Sequence, residues 1–325
     1  MHGPRIFFPT ISLIGVTFAA THDLIVGTFS GGHLYTVRFD DEQLTLEEVG
    51  ATRVPYPNSW LALSHDKKHL YGTAFNANPP GFIGYTLESS TRIRGHDLIH
   101  AGGDCNGSAI YVEASPDPPY SVYGSFFWRR AGCGAVLSAD GGANVVQNFT
   151  YELDTSGVHG IALSKPGSRF LYSADDPGNA LWTHRLDPDN GGRVVELVAR
   201  LPASPDHAHP RHVVTHPQGK HLYVVYEGSS EVAQYDIVDP ETGIPSFSGV
   251  RYPLLRPHQD PADFWADEVA LSATGAYLWA TNRAYGDDDG GRKGYISAFS
   301  LDEAGAILRQ NFLLETMTSG GWANR

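Results

Sequence analysis

The sequence predicts an all-β fold of the β-propeller type, and three observations carry the prediction. Gly and Pro number 36 and 21 in 325 residues, and Tyr and Phe number 16 and 15 against 2 Met. Such a composition favours strands and turns over helices. No long amphipathic helical pattern occurs, and no linker divides the chain into two domains. A strand–turn–strand pattern recurs every roughly 40–60 residues, the period of a four-stranded propeller blade.

The repeat is an apolar run, a polar turn and a Leu-Tyr anchor. It extends from Ser59 to Tyr71, from His159 to Tyr172, from Arg211 to Tyr223 and, with Trp in place of Tyr, from Asp267 to Trp279. Asn106 to Tyr111 reads as a degenerate copy. Asp66, Pro166-Gly167, Pro217-Gln-Gly219 and Thr274-Gly275 supply the turns. A third alternating run follows at 181–186, 232–237 and 295–300. A hairpin turn at Asp187, Asp239 or Asp302 comes next, then an outer strand through Val194–Val198 or Ala306–Gln310. Roughly six units fit, the first opening at Leu24–Phe39 and the last spanning Asp267–Gln310. Asn311–Arg325 reads as the opening of another blade, so the last blade is expected to be incomplete.

Residues 1–20 carry one cation, Arg5, an apolar run from Ile6 to Phe18, then Ala19 and Ala20. That is the order of a secretory signal peptide, leaving 21–325 as a single propeller domain. Two further features agree with a secreted glycoprotein, a cytoplasmic protein being the alternative. Asn106 and Asn148 stand in glycosylation sequons, and Cys105 and Cys133, an even count with no zinc-ligand spacing, would close one disulfide loop in an oxidising compartment. Otherwise they read as two small buried apolar residues.

Charge excludes some functions. Lys and Arg total 23 against 36 Asp and Glu, a net charge of −13. Such a surface repels phosphate backbones and anionic lipids, so neither nucleic acid nor membrane is an expected partner. An anionic small molecule would need arginines gathered locally.

Several stretches resemble the fungal 3-carboxy-cis,cis-muconate lactonising enzymes, the carboxymuconate cyclases of the seven-bladed propeller lactonase group. They include Leu34-Tyr-Thr-Val-Arg-Phe-Asp-Asp-Glu-Gln-Leu44, Pro118-Pro-Tyr-Ser-Val-Tyr123, Gly157-Val-His-Gly160, Leu171-Tyr-Ser-Ala-Asp175, Leu181-Trp-Thr-His-Arg185, His209-Pro-Arg211 and Thr318-Ser-Gly-Gly321. The likeness runs in order from about His22 to the last residue. It implies a seven-bladed propeller and a cycloisomerase without cofactor or metal, in which a substrate carboxylate adds across the substrate's own conjugated double bond. The family's catalytic histidine, two arginines and glutamate fall on His159, Arg211, Arg283 and Glu227. Family members continue into a seventh blade, and Trp322 stands where a histidine is expected.

The repeat itself supports that set. His159 and Arg211 begin the first strand of their units, and Glu227 and Arg283 follow the anchor by four residues. Equivalent positions lie at similar heights around a propeller axis and converge on one channel mouth. Arginine binds carboxylate through a planar fork, so Arg211 and Arg283 suit a polycarboxylate or lactone. They would orient the attacking carboxylate and stabilise the charge that develops as the ring closes. His159 is favoured as proton donor because imidazole titrates near neutrality, with Glu227 as the exchangeable alternative. Read without the resemblance, an Arg–Glu pair in a propeller is as readily a structural bridge between blades.

Other clusters read as structural. His207, His209, His212 and His216 crowd together, but His209 and His212 are expected on opposite strand faces, which opposes a shared metal. Asp287-Asp-Asp-Gly-Gly291 lacks the spacing of a calcium loop, and Asp175-Asp176 reads as a turn. Trp60 and Trp182 read as core, and the run Tyr120, Tyr123, Phe126, Phe127 and Trp128 as packing between blades. Three functions fit: a carboxymuconate-type cycloisomerase, a secreted lactonase acting on another lactone, or a non-enzymatic propeller that binds a small anion or a protein.

Overall fold

The computed structural model describes residues 20–103, 105, 107–127, 132–139, 144–285 and 291–318. Each repeat folds into an antiparallel sheet of sequential hairpins, giving six sheets among the described residues. The first has three strands, β1 (Thr21–Val26), β2 (His33–Asp40) and β3 (Thr45–Arg53). The second holds β4 (Leu61–Leu63), β5 (His69–Thr73), β6 (Gly81–Ser89) and β7 (Arg92–His100). The third holds β8 (Ser108–Ala114), β9 (Val122–Phe127), β10 (Cys133–Leu137) and β11 (Val145–Thr150). The fourth holds β12 (Val158–Leu163), β13 (Phe170–Asp175), β14 (Ala180–Asp187) and β15 (Arg193–Pro202). The fifth is β16 (Pro210–Thr215), β17 (His221–Tyr226), β18 (Glu231–Ile237) and β19 (Pro245–Pro253). The sixth is β20 (Phe264–Leu271), β21 (Tyr277–Ala284), β22 (Tyr295–Leu301) and β23 (Ile307–Glu315).

The core lies between the sheets. One apolar cluster joins the first and second sheets through Leu34, Leu70 and Tyr85, and others bridge the second to fourth, fourth to fifth and fifth to sixth. Sheets covered on both faces need continuous apolar strands. β12 and β13 are accordingly buried at every residue, whereas the outer β15 is exposed or half-buried throughout. Each fully buried Leu or Val contributes about 1.5–3 kcal/mol by leaving water.

Two expectations are corrected. Tyr111 is no Leu-Tyr anchor: it lies on β8, the first strand of its sheet. Tyr123 on β9 takes that place, pairing with Glu113 as Tyr71, Tyr172, Tyr223 and Trp279 pair with Ala62, Ala162, Val214 and Ala270. The anchors are then 52, 49, 51 and 56 residues apart. The missed copy departs from the other units before its turn, where Glu113 stands in the place of Ala62, Ala162, Val214 and Ala270. Residues 311–315 open no new blade: they complete β23, paired with β22 from Tyr295 to Ala298.

The true anchors fasten neighbouring sheets. The hydroxyl of Tyr71 donates to the Ala139 carbonyl at 2.9 Å, Tyr123 to Gly192 at 2.8 Å, Tyr172 to Gly243 at 2.9 Å, and Tyr223 to Gly305. The acceptor sits each time in the hairpin before the outer strand of the next sheet. Gly243 shows why that turn takes glycine: its φ is +64°, and a Cβ would stand 2.5 Å from the Phe170 ring.

Candidate active site

The first strands of the sheets carry an irregularity at one recurring place. Register breaks between Ala109 and Tyr111, Val158 and Gly160, Pro210 and His212, and Ala266 and Val269. A bulge leaves its extra residue out of the ladder and re-aims its side chain. The displaced residues are Ile110, His159, Arg211 and the pair Asp267-Glu268. The repeat thus turns four polar side chains of three consecutive sheets out of their ladders.

Second-strand ends supply the rest. Asp176, Glu227 and Arg283 each lie four residues past an anchor. Asp175 organises the first of these turns, accepting from Ser156 Oγ at 2.6 Å, Trp182 Nε1 at 2.8 Å and the Gly157 and Gly178 amides at 2.7 and 3.0 Å. Four donors satisfy this buried carboxylate, and the network fixes the entry to β12 just before His159.

The assembled cluster is dense and nearly closed. Arg211 donates to Glu227 Oε2, and Arg283 lies 3.2 Å from Asp267 Oδ1. His159 Nδ1 is 2.9 Å from His212 Nε2, and His212 Nδ1 is 2.9 Å from Glu268 Oε2. Phe127 meets His159 edge to face with centroids 4.9 Å apart, and Arg283 covers the Trp265 ring at 4.9 Å. His159, Arg211, Asp267 and Arg283 are 2–6% exposed, while the half-exposed His209 marks the outer side through its 3.0 Å contact with Asp176.

Burial governs the electrostatics. His159 is held well below the usual imidazole range, first by desolvation and then by Arg211, His212 and Arg283, so its free-site form is neutral. Desolvation raises Glu227, with Arg211 and Arg283 opposing the rise. It pushes Asp267 up to about 7 despite Arg283. Burial also lowers Arg283. Glu227 and Asp267 are thus the carboxyl groups paired with the two guanidinium groups, and burial raises both. The expectation of a His159 that itself titrates near neutrality is revised accordingly.

His159, Arg211, Glu227 and Arg283 all fall in this one cluster. Sequence reasoning missed His212, Asp267, Glu268 and Asp176 as members. Aligning the repeats residue by residue finds them: Asp267-Glu268 occupies the place of Arg211-His212, and Asp176 that of Glu227 and Arg283. The histidine group disperses, with His209 turned to Asp176, His212 to His159 and His216 to the Gly275 carbonyl at 3.1 Å. Cys105 and Cys133 form a disulfide with Cα atoms 5.4 Å apart. Asn148 is exposed, and its amide donates to the Ala101 carbonyl. Asn106, Trp128, Asp287 to Asp289, Trp322 and residues 1–19 of the expected leader lie outside the described residues.

Comparisons with known proteins bear on this arrangement. The chain is 36% identical to a carboxy-cis,cis-muconate cyclase of Neurospora crassa over 93% of this chain and 85% of that protein. It is 27% identical to muconate cycloisomerase 1 of Cutaneotrichosporon cutaneum over 94% and 82% of the two chains. A periplasmic gluconolactonase of Pseudomonas aeruginosa shares the fold at a TM-score of 0.68 and 18% identity, covering 92% of this chain and 97% of that one. The family model described as "Lactonase, 7-bladed beta-propeller" matches residues 23–321, and the chain belongs to that family.

Proposed function

We propose that this chain is a cycloisomerase that closes 3-carboxy-cis,cis-muconate to its carboxymuconolactone. The observation that carries the reading is the pair of buried arginines, Arg211 and Arg283, facing His159, Glu227 and Asp267 in one cluster. Two arginines provide two forks for the carboxylates of a tricarboxylate and hold the attacking oxygen near its carbon. In the step, a carboxylate oxygen bonds to a carbon of the conjugated double bond. The π pair moves to the neighbouring carbon, where the adjoining carboxylate and an arginine delocalise it. A proton from the protein then reaches that carbon. As free acids, product and substrate are isomers; the ionised substrate takes up one proton, which the protein delivers and regains from water.

His159 is the proton donor in this reading. Its neutral free-site form is no obstacle, because bound substrate brings negative charge beside the ring and favours a proton on the ring nitrogen that faces it. Glu227 anchors Arg211. The disulfide supports export to an oxidising compartment, a reading checked by looking for the mature chain in culture medium.

The test follows the conjugated-diene absorbance of 3-carboxy-cis,cis-muconate mixed with the purified chain. A saturable loss of absorbance, slowed about 100-fold in Arg211→Ala, is the expected result. No loss from a cooperatively melting wild-type protein overturns the reading and favours hydrolysis of a different lactone.

A further inference from the structure

We propose that Glu268 and His212 form a positioning relay that decides which ring nitrogen of His159 carries a proton. The inference rests on the cyclase reading for what His159 does, but not for the relay's existence.

The geometry is a line of three buried groups. Glu268 Oε2 lies 2.9 Å from His212 Nδ1, an ion-pair contact off the axis of an aligned hydrogen bond. His212 Nε2 lies 2.9 Å from His159 Nδ1. His212 is fully buried, His159 3% exposed and Glu268 8%. Trp60 and Tyr111 are stacked on each other at 4.1 Å and meet the His212 ring at 4.8 and 5.3 Å. These rings keep the imidazole from water and fix its plane.

The chain is built to allow this contact. Trp60, Tyr111, Gly160, His212 and Glu268 are the same position in successive repeats, and only the fourth sheet has no side chain there. A Cβ on Gly160 would stand 2.7 Å from His212 Cδ2 and 2.7 Å from the Arg211 carbonyl oxygen. The glycine lets His212 lie against β12, where it reaches the neighbouring residue, His159.

Proton accounting follows from two imidazoles sharing one contact. Facing nitrogens need a single hydrogen between them. With Glu268 ionised, His212 carries its proton on Nδ1 and accepts at Nε2. His159 then holds its proton on Nδ1, and its Nε2 has a lone pair. One added proton leaves His212 protonated on both nitrogens. It now donates from Nε2 to His159 Nδ1, and His159 carries N–H at Nε2, ready to donate. When that proton passes to the substrate carbon, the shared proton moves from His212 Nε2 to His159 Nδ1. The relay returns to its first state with neither ring left anionic.

The charges around the line place the added proton on His212. His159 faces Arg211 and Arg283, with Glu227 and Asp267 behind them, and the two arginines repel a cation on its ring. His212 faces the carboxyl of Glu268, together with His159 and the two aromatic rings.

The test compares the full-length wild type with Glu268→Gln, Glu268→Asp and His212→Gln. Two readouts are used: kcat and KM across pH with 3-carboxy-cis,cis-muconate, and ¹⁵N signals of the His159 ring during a pH titration of the free protein. In the wild type, His159 Nε2 is expected to change from unprotonated to protonated as pH falls, at the midpoint of the alkaline limb of kcat/KM, which reports the free protein. Glu268→Gln should lower both midpoints by about one pH unit and cut kcat about 10- to 100-fold, with KM within about twofold, as for loss of a carboxylate behind a histidine. Glu268→Asp should recover part of the loss, and His212→Gln should abolish the transition. A His159 protonation pattern unchanged in both Glu268→Gln and His212→Gln overturns the relay, as does a kcat loss that merely follows loss of folded protein. If the wild type turns over no substrate, the cyclase reading fails while the ¹⁵N titration still decides the relay.

Discussion

The second and third sheets carry at their inner positions what the fourth, fifth and sixth do not. At the place of His159, Arg211 and Asp267 the earlier sheets have Ser59 and Ile110. At the place of Gly160, His212 and Glu268 they have Trp60 and Tyr111, and at that of Asp176, Glu227 and Arg283 they have Phe75 and Phe127. The hairpin backbone recurs on both sides, and the bulge at Ile110 in the third sheet matches that at His159 in the fourth. Backbone repetition therefore aims side chains, and residue identity alone divides the ring into an aromatic wall and a charged cluster. The aromatic wall also serves the charged side: Trp60 and Phe127 touch His212 and His159.

The largest effect expected is on turnover, at Arg283. Arg283→Ala removes a carboxylate fork and should cost on the order of 10²- to 10³-fold in kcat, the range for loss of one transition-state donor. Stability should fall far less at pH 6, because Asp267, raised to about 7, is already mostly protonated there and leaves little unpaired charge when the arginine goes. Steady-state rates and a melting curve on one preparation check both halves. Equal losses would make Arg283 a structural bridge and erase the contrast between the two sides.

The matching change on the aromatic side is Phe75→Ala. Phe75 is 8% exposed and packs edge-on against Phe29 at 5.2 Å. Truncation should cost about 3 kcal/mol of stability, the usual price of a large aromatic cavity. Urea unfolding measures it, and kcat/KM of the protein that remains folded should stay within about twofold. A loss of turnover in a stably folded variant would carry the active site across the ring.

These two changes bracket what the sequence discloses. The propeller, its hairpin turns and its outer strands were legible because apolar runs, glycine turns and Leu-Tyr anchors repeat. His159, Arg211, Glu227 and Arg283 were legible partly from the resemblance and partly from their places in the repeat. His212 is not legible, because strand alternation sets it on the opposite face from His209. In the structure, His209 precedes the strand with a φ of +56° and turns to Asp176, so alternation does not relate the two. Asp267 and Glu268 show in the sequence only as the start of a repeat, because a bulge at two adjacent residues breaks the period of two.

Asp267 gives a pH test that the aromatic side lacks. Its carboxyl is raised from an ordinary value near 4 to about 7 in the folded state. The folded protein thus binds more protons than the unfolded chain between those values, and stability falls as pH rises through that window. From pH 5 to 7 the change amounts to about 2 kcal/mol. His159, held low by burial, acts oppositely below pH 6.5, where stability rises with pH. The difference between wild type and Asp267→Asn, followed by urea unfolding at several pH values, isolates the first effect. The variant should lose that downward slope, and an unchanged slope would mean that Asp267 is ionised throughout.

The smallest effect tests what both sides share. Tyr172 spans the fourth and fifth sheets by donating to the Gly243 carbonyl, and Tyr123 spans the third and fourth by donating to Gly192. The first joins two charged sheets, and the second joins the aromatic side to the charged one. Each bond is a neutral buried hydrogen bond worth about 1 kcal/mol. Tyr172→Phe and Tyr123→Phe should each lose that amount, leave kcat unchanged, and add in the double variant to within about 0.5 kcal/mol, since the two bonds share no atoms. Additivity would mean that the sheets are fastened pair by pair, so that residues at the inner positions can change chemistry without loosening the ring. A double-variant loss well beyond the sum would show that the interfaces open together, and the division into two sides would then be one of chemistry but not of stability.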